Sequence, residues 1–196
     1  LYDGWPLSYH PNSPSALHLL TLLEACPPTV EPVVLLPASP PEWFPARITT
    51  CLEPTPNTSR ARLNWEQRTL PGFARSSGMK LVHLTSLTPA MITPLPTVIS
   101  PAGFEISEPW RQESLYKSGY TSILSSGGAR AFADRLRWSL AIGALDRVNA
   151  IFWPEDLPYP PDQRVPNNLQ KMPPTVHPAF LTQQSRPAIG ALGDLP

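Results

Sequence analysis

Side chains that can bind or activate a hydroxyl group occur in four short stretches of this sequence. Imidazole, amide and hydroxyl groups exchange hydrogen bonds with a substrate hydroxyl, and a carboxylate can orient or deprotonate one. Aligned with neighbouring strand ends, such groups would form a site for a ligand that carries hydroxyl groups. The candidates are Tyr9, His10, Asn12 and Ser13 in SYHPNSP, Ser86 after KLVHLT, Ser100 and Gly103 in ISPAGF, and Glu155 and Asp156 in WPEDLP.

Each candidate also has a purely structural interpretation. His10 is either a ligand-binding residue or an exposed loop residue, and Ser13 can cap a helix without any ligand. Gly103 either permits close backbone approach to a ligand or makes a turn. Glu155 and Asp156 either face a cleft or lie in a surface loop. No residue is assigned a catalytic role from these patterns.

A further histidine, His83, lies within the apolar run KLVHLT. It is either a core histidine bonded to the backbone or a neighbour of cleft residues at the end of that run. The tryptophans Trp5, Trp43, Trp110 and Trp153 present flat apolar rings on which a ligand could stack, although most tryptophans pack in cores.

Several well-known sites are unsupported by the sequence. It has no GxGxxG, no GxxxxGK[ST], no GxSxG and no HExxH. Dinucleotide, P-loop, hydrolase and zinc-peptidase chemistry therefore lack their usual motifs. We expect no metal ion and no cofactor.

Composition limits the class of partner and the compartment. Fifteen basic residues balance fifteen acidic ones and the pI is about 7.1, so no positive field favours nucleic acid. Neither an apolar run long enough to span a membrane nor a signal peptide is present. Cys26 and Cys51 have no metal spacing and are expected as two buried reduced thiols. We expect a cytoplasmic protein.

Proline is abundant, at 28 of 196 residues, but 41% of the residues are apolar and fall in short blocks. This pattern favours long loops between packed elements over disorder. The predicted strands are Leu1–Leu7, Val33–Leu36, Lys80–Thr85, Thr97–Ser100 and Asn149–Trp153. The predicted helices are Pro14–Ala25, Leu63–Ser77 with a kink at Pro71, and Ala129–Val148, while 37–59 is predicted as loop.

These strands are short and continuously apolar, which is typical of a parallel sheet covered on both faces. We therefore predict an α/β fold, a Rossmann-like three-layer domain with a mostly parallel sheet. In such sheets ligands bind beyond the carboxyl ends of the strands. The stretch SYHPNSP follows the first strand and should lie at that edge.

Four motifs in order along the chain resemble the N-terminal half of a family 4 glycosyltransferase of the GT-B fold. They are the loop of the first strand leading into a capped helix, KLVHLTS followed by PTVISPAGF, LDRVNAIFWPEDLP, and MPPTVHPAF. The third is similar to the family's ADxVIAVS and the fourth to its IPNGVDPxxF. The matching positions are Asp146, Val148 and Ala150 in the third motif and Pro174, Val176, Pro178 and Phe180 in the fourth.

The resemblance implies an acceptor-side domain over residues 1–158, with a truncated first strand. It implies that 159–196 are a proline-rich interdomain linker and the start of a donor domain. In the family, that second domain holds the nucleotide-sugar donor, transfer is retaining and no metal is needed. We expect this chain alone to be inactive.

Two positions depart from the family pattern. SPAGF has Pro101 and Ala102 where many members have a histidine close to the transferred sugar, and His177 stands where aspartate is frequent. The first departure leaves the catalytic histidine of the family without a counterpart here. The alternative interpretations are a non-catalytic α/β module that binds a glycan or a protein, and another two-domain enzyme built on the same half-fold.

Overall fold

The structure is a computed structural model that describes residues 1–101, 136–137, 139–141, 143–154 and 165–172. Its centre is a sheet of seven strands in which every neighbouring pair is parallel. The strand order is β3-β2-β1-β4-β5-β6-β7. The strands are β1 Tyr2–Asp3, β2 Val33–Leu36, β3 Thr49–Leu52, β4 Val82–Leu84, β5 Thr97–Ile99, β6 Ala150–Pro154 and β7 Leu169–Met172. The predicted Rossmann-like α/β fold is confirmed.

Helices cover both faces of this sheet. They are α1 Trp5–Tyr9, α2 Pro14–Glu24, α3 Ser59–Asn64, a π-helical turn Trp65–Thr69, and α4 Leu70–Ser76. The described residues among 136–144 are also helical, and a 3-10 turn, Leu145–Arg147, follows them. No helix among the described residues is long and apolar enough to cross a membrane.

Two apolar clusters hold the layers together. On one face, Leu19 and Leu23 of α2 pack with Val34 and Leu36. On the other face, Trp65 packs with a larger set of buried residues, which includes Leu35, Leu70, Leu84, Ile99, Ile151 and Trp153. Alternation along β2 sends Leu35 to one cluster and its neighbours to the other, as a strand buried on both faces requires.

The first strand is shorter than predicted. It ends at Asp3, because the Asp3 carboxylate accepts the Trp5 backbone N–H at 3.0 Å and turns the chain. Gly4 then approaches β2 so closely that its N–H donates to the Leu35 carbonyl at 2.8 Å. The chain enters α1 at once, so the predicted strand Leu1–Leu7 and the predicted loop at Ser8 and Tyr9 were wrong.

Two strands were missed. Strand β3 lies inside the segment 37–59 that was predicted as loop; it is an edge strand with three of its four residues exposed, so it has no apolar run to reveal it. Strand β7 lies inside the segment 159–196 that was predicted as an interdomain linker, yet it pairs with β6 in the same sheet. The sheet therefore extends past the predicted boundary at residue 158.

The helix predicted over Leu63–Ser77 begins earlier and contains no break at Pro71. Thr58 caps it through a hydrogen bond from the Ala61 N–H to the Thr58 hydroxyl at 3.2 Å. Pro71 follows the π-helical turn, in which the Leu70 N–H donates to the Trp65 carbonyl five residues back, and the helix continues through the proline.

Five other predictions agree with the structure to within a few residues. They are the helix from Pro14, the strand Val33–Leu36, and the strands near 82, 97 and 150. The start of the helix predicted over Ala129–Val148 lies outside the described residues.

Candidate functional site at the carboxyl edge of the sheet

The strand order reverses between β1 and β4. The chain moves outward from β1 to β2 and β3, returns to β4 beside β1, and then continues to β5, β6 and β7. In open parallel sheets this switch point leaves a crevice beyond the carboxyl ends of the two strands, and ligands bind there. We call the region beyond the ends of β1, β4 and β5 the carboxyl edge.

The floor of the carboxyl edge begins with Asp3, the last residue of β1. Its Oδ1 accepts the Trp65 indole N–H at 2.8 Å as well as the Trp5 backbone N–H, and its Oδ2 accepts from Arg62 Nη2 at 2.9 Å. Asp3 and Arg62 are both buried. The carboxylate thus joins β1 to α3 and the π-helical turn.

Glu66 extends this network toward β4. Its carboxylate accepts from Arg62 Nε at 2.6 Å, from Arg137 Nε at 2.9 and 2.7 Å, and from the Thr88 hydroxyl at 2.7 Å. Burial acts to raise the pKa of Glu66, but the Arg137 and Arg62 guanidinium groups and the hydrogen bonds together hold it below its ordinary value. Glu66 is therefore charged at neutral pH.

The four charged groups of this network balance. Asp3 and Glu66 carry two negative charges, and Arg62 and Arg137 carry two positive ones. Among the residues that the structure describes, the floor thus offers no net positive charge to a phosphate group. The ion network instead holds three separate segments of the chain in one arrangement.

Helix α1 fills the part of the edge above β2 and β3. Trp5 packs against Tyr9 at 4.9 Å and against Trp65 at 5.7 Å between ring centroids, and the Arg62 guanidinium lies 4.8 Å over the Trp5 ring. The Tyr9 hydroxyl donates to the Thr55 carbonyl. Tyr9, a predicted site residue, therefore ties α1 to the segment after β3.

On the β4 and β5 side, Ser100 follows β5 and lies between two imidazoles. Its Oγ is 2.7 Å from His83 Nε2 and 3.2 Å from His18 Nε2. Burial and, to a lesser degree, the neighbouring His18 lower the pKa of His83 to about 4. Burial also lowers the pKa of His18, although a hydrogen bond to the Ser100 backbone opposes this. His83 bonds a side chain rather than the backbone partner expected for a core histidine.

Ser86 lies in the segment that follows β4. Its hydroxyl shares a 2.8 Å hydrogen bond with the Thr88 hydroxyl, which continues to Glu66. Gln67 holds the next residues, donating to the Pro89 carbonyl at 3.4 Å and accepting from the Met91 N–H at 3.0 Å. The segment after β4 is therefore fixed to the π-helical turn.

The N-terminal end of α2 supplies the remaining predicted residues. Ser13 accepts the Ala16 N–H at 3.2 Å, so it is the N-cap of α2. His10 and Asn12 are exposed, and their side chains make no hydrogen bond to any other described residue. These residues connect the end of α1 to the start of α2, and α1 itself follows the carboxyl end of β1, so they lie at the carboxyl edge.

The structure thus places Ser86 and Ser100 at neighbouring strand ends and His10 to Ser13 at the facing helix end. It does not join Tyr9 to them, since Tyr9 bonds on the β3 side. Gly103, Glu155 and Asp156 lie outside the described residues. Of the tryptophans, Trp5 and Trp153 are buried and Trp43 is 49% exposed, while Trp110 also lies outside.

Sequence reasoning missed the ion network entirely. Its members are far apart in the chain, and the charged residues have no motif spacing. The one local signal was the spacing of Arg62 and Glu66, which are four residues apart as in a helical ion pair, but the predicted helix began at Leu63 and did not include Arg62. His18 was passed over because it lies among leucines at helical spacing.

Among the residues described, no group of three or more histidine, cysteine, aspartate or glutamate side chains could hold a metal ion. Cys26 and Cys51 are free thiols and half-buried. Comparison of the chain with protein-family models, with curated proteins and with solved structures finds no significant match.

Proposed function

We propose that this chain is the acceptor-side domain of a glycosyltransferase that moves a sugar from a nucleotide-sugar donor to a hydroxyl acceptor. The observation that carries the proposal is the carboxyl edge at the switch point between β1 and β4. Hydroxyl, imidazole and amide side chains collect there, and these groups exchange hydrogen bonds with the hydroxyls of an acceptor. The sequence resemblance to the family supplies the reaction class, with retention and metal independence.

The region after β1 favours a neutral acceptor over a nucleotide. A phosphate-binding turn needs open space and free backbone N–H groups at this position. Here Gly4 is pressed against Leu35, and the next residue, Trp5, is buried with the Arg62 guanidinium over its ring. Because the charges of the described floor residues also balance, they would give a diphosphate little electrostatic stabilisation. The donor would then be bound mainly by a second domain, as in the GT-B fold.

His10 and Asn12 are the side chains best suited to contact the acceptor. Both are exposed at the carboxyl edge and make no hydrogen bond to a described residue. Ser86 and Ser100 are buried and already bonded, so they shape the edge and bond a ligand only through rearrangement. The domain would thus bind through one helix end above a rigid floor.

Saturation-transfer NMR on the 196-residue chain tests this proposal. The panel contains neutral oligosaccharides, small water-soluble glycosides without a lipid group, and nucleotide sugars whose nucleoside is uridine, guanosine or adenosine. We expect binding of at least one neutral carbohydrate and no turnover of any nucleotide sugar. Turnover by this chain, or binding of nucleotide sugars alone, would contradict an acceptor-side role.

A second assay separates an enzyme from a binding module. A longer protein that carries this chain together with a donor domain should transfer sugar to the carbohydrate identified by NMR. Carbohydrate binding without transfer in that protein would favour the alternative, a non-catalytic glycan-binding module.

A further inference from the structure

Strand β3 is the last strand on its side of the described sheet. It pairs with β2 alone, and three of its four residues are exposed, among them Leu52 with 54% of its surface accessible. A free strand edge presents unpaired backbone N–H and C=O groups, which can pair with a strand of another chain. The free side of β3 is therefore a surface on which another strand can add to the sheet.

The register with β2 fixes which backbone groups of β3 face outward. The Glu53 N–H donates to the Leu36 carbonyl of β2 at 2.9 Å. In a parallel pair the backbone groups of successive residues point alternately toward the partner strand and away from it, so the N–H and C=O groups of Thr50 and Leu52 point away from β2. Pro54 occupies the next outward position and has no N–H to donate. The free edge is therefore short and ends at a defined residue.

The sequence around Thr50 is complementary to a second copy of itself. Arg47 lies three residues before Thr50, in the turn that leads into β3, and Glu53 lies three residues after it. Both side chains are exposed, and neither makes an ion pair with a described residue. In an antiparallel pair centred on Thr50, Arg47 faces the partner's Glu53 and Ile48 faces the partner's Leu52. Opposite charges and apolar side chains then meet across the strands, which stabilises such a pair.

We propose that two copies of this chain pair antiparallel through β3, centred on Thr50, so that their two sheets join into one. The two Thr50 residues exchange N–H···O=C hydrogen bonds, and two contacts between Arg47 and Glu53 flank them. A two-fold axis relates the copies and the contact uses both free β3 edges, so the assembly closes at a dimer. Strands of four residues bury less than a standard interface, so the dimer is weak, with a Kd on the order of 100 µM. The proposal does not depend on what binds at the carboxyl edge.

Sedimentation equilibrium of the 196-residue chain from about 10 µM to about 1 mM tests this dimer. Arg47→Glu and Glu53→Arg each place like charges opposite each other twice in the dimer, so each should raise Kd about tenfold. The double variant Arg47→Glu/Glu53→Arg exchanges the two charges and should return Kd to within about threefold of the wild-type value. Lys80→Glu is the matched control, because it makes the same charge change as Arg47→Glu at an exposed residue just before β4. It should leave Kd unchanged.

A further variant tests the backbone pairing without using charge. Thr50→Pro removes an outward N–H but no hydrogen bond to β2, so the variant should fold and remain a monomer.

Three outcomes overturn the proposal. They are a wild-type chain that stays monomeric up to about 1 mM, a folded Thr50→Pro variant that dimerises as the wild type does, and a dimer that does not follow the charges. In the last case Kd is unchanged by both single reversals or is not restored by the double variant. Circular dichroism checks the fold of every variant. If Thr50→Pro does not fold, the charge variants decide the question, because Arg47 and Glu53 are exposed.

Discussion

Arg137 binds Glu66 through both carboxylate oxygens, with Nε at 2.9 and 2.7 Å, although the two residues are 71 positions apart in the chain. This pair fastens the helical residues near 137 to the π-helical turn. Together with Arg62 and Thr88 it makes Glu66 the centre of the floor beneath the carboxyl edge. Its removal therefore affects several segments at once.

We expect Glu66→Gln to destabilise the fold by about 3–5 kcal/mol, because it leaves two guanidinium groups without their shared buried carboxylate. Urea denaturation followed by tryptophan fluorescence gives the free energy of unfolding. Glu42→Gln is the matched control, since Glu42 is exposed in the loop after β2, and it should change stability by about 0.5 kcal/mol or less. Equal effects of the two variants would show that the network is not structural.

Gly4→Ala should also destabilise the fold. An added Cβ would lie 2.5 Å from the Leu35 carbonyl oxygen and 2.6 Å from Leu36 Cδ2, so β1 must move away from β2, at a cost of about 1–3 kcal/mol or more. Gly72 in α4 is the control, because nothing lies within 4 Å of its added Cβ. Gly72→Ala should stabilise the helix by about 0.5–1 kcal/mol. A neutral Gly4→Ala variant would refute the close approach.

The free energy of unfolding should depend on pH in two ranges. The pKa of His83 is about 4 in the folded chain against 6.5 as its ordinary value, so the unfolded chain binds the proton more readily. Neutral His83 therefore contributes its full stabilisation above pH 6.5, and this stabilisation is lost as the pH falls toward 4. The loss is at most about 3 kcal/mol. The lowered pKa of Glu66 adds a further loss below its ordinary value of 4.5.

Urea midpoints measured across these pH values test both ranges. In His83→Gln the urea midpoint should change less between pH 6.5 and 4 than in the wild type. The loss of stability that Glu66 causes below pH 4.5 should remain. His10→Gln should reproduce the wild-type curve. A wild-type stability that stays constant between pH 6.5 and 4 would rule out a buried neutral His83.

Ser13→Ala should cost about 1 kcal/mol, because the Ala16 N–H loses its acceptor at the start of α2. Ser13→Asp should retain most of that stability, since aspartate is an equally good cap. Thermal unfolding by circular dichroism measures both variants. If Ser13→Asp is as unstable as Ser13→Ala, capping is not the main role of this hydroxyl.

The parts of the fold that follow from local chemistry could be predicted from the sequence. Val33–Leu36 is an apolar run between prolines, and Ser13 followed by Pro14 is a helix start, so both appear in the structure as expected. The short β1 could not be predicted in this way. It ends because Asp3 meets partners 59 and 62 positions away, Arg62 and Trp65, and no local pattern announces such contacts.

In the candidate site, too, local features could be predicted from the sequence and long-range contacts could not. Residues at the ends of apolar runs, such as Ser86 and Ser100, could be placed at the carboxyl edge because parallel strands end together. The partner of Ser100 could not, since His18 lies among leucines of an amphipathic helix. Nor could the pairing of Glu66 with Arg137, which lies in a helix distant in sequence. Edge strand β3 escaped detection because Thr49, Thr50 and Leu52 are exposed and carry no burial pattern.

The most direct test of the proposed function is a binding titration of the carbohydrate identified by NMR, measured by calorimetry against three forms of the chain. These are the wild type, the double variant His10→Ala/Asn12→Ala at the carboxyl edge, and Lys80→Ala, which removes an exposed side chain at the opposite edge, just before β4. We predict that the double variant weakens binding at least tenfold, about 1.4 kcal/mol, while Lys80→Ala binds as the wild type. Wild-type affinity in the double variant would contradict an acceptor site at the carboxyl edge.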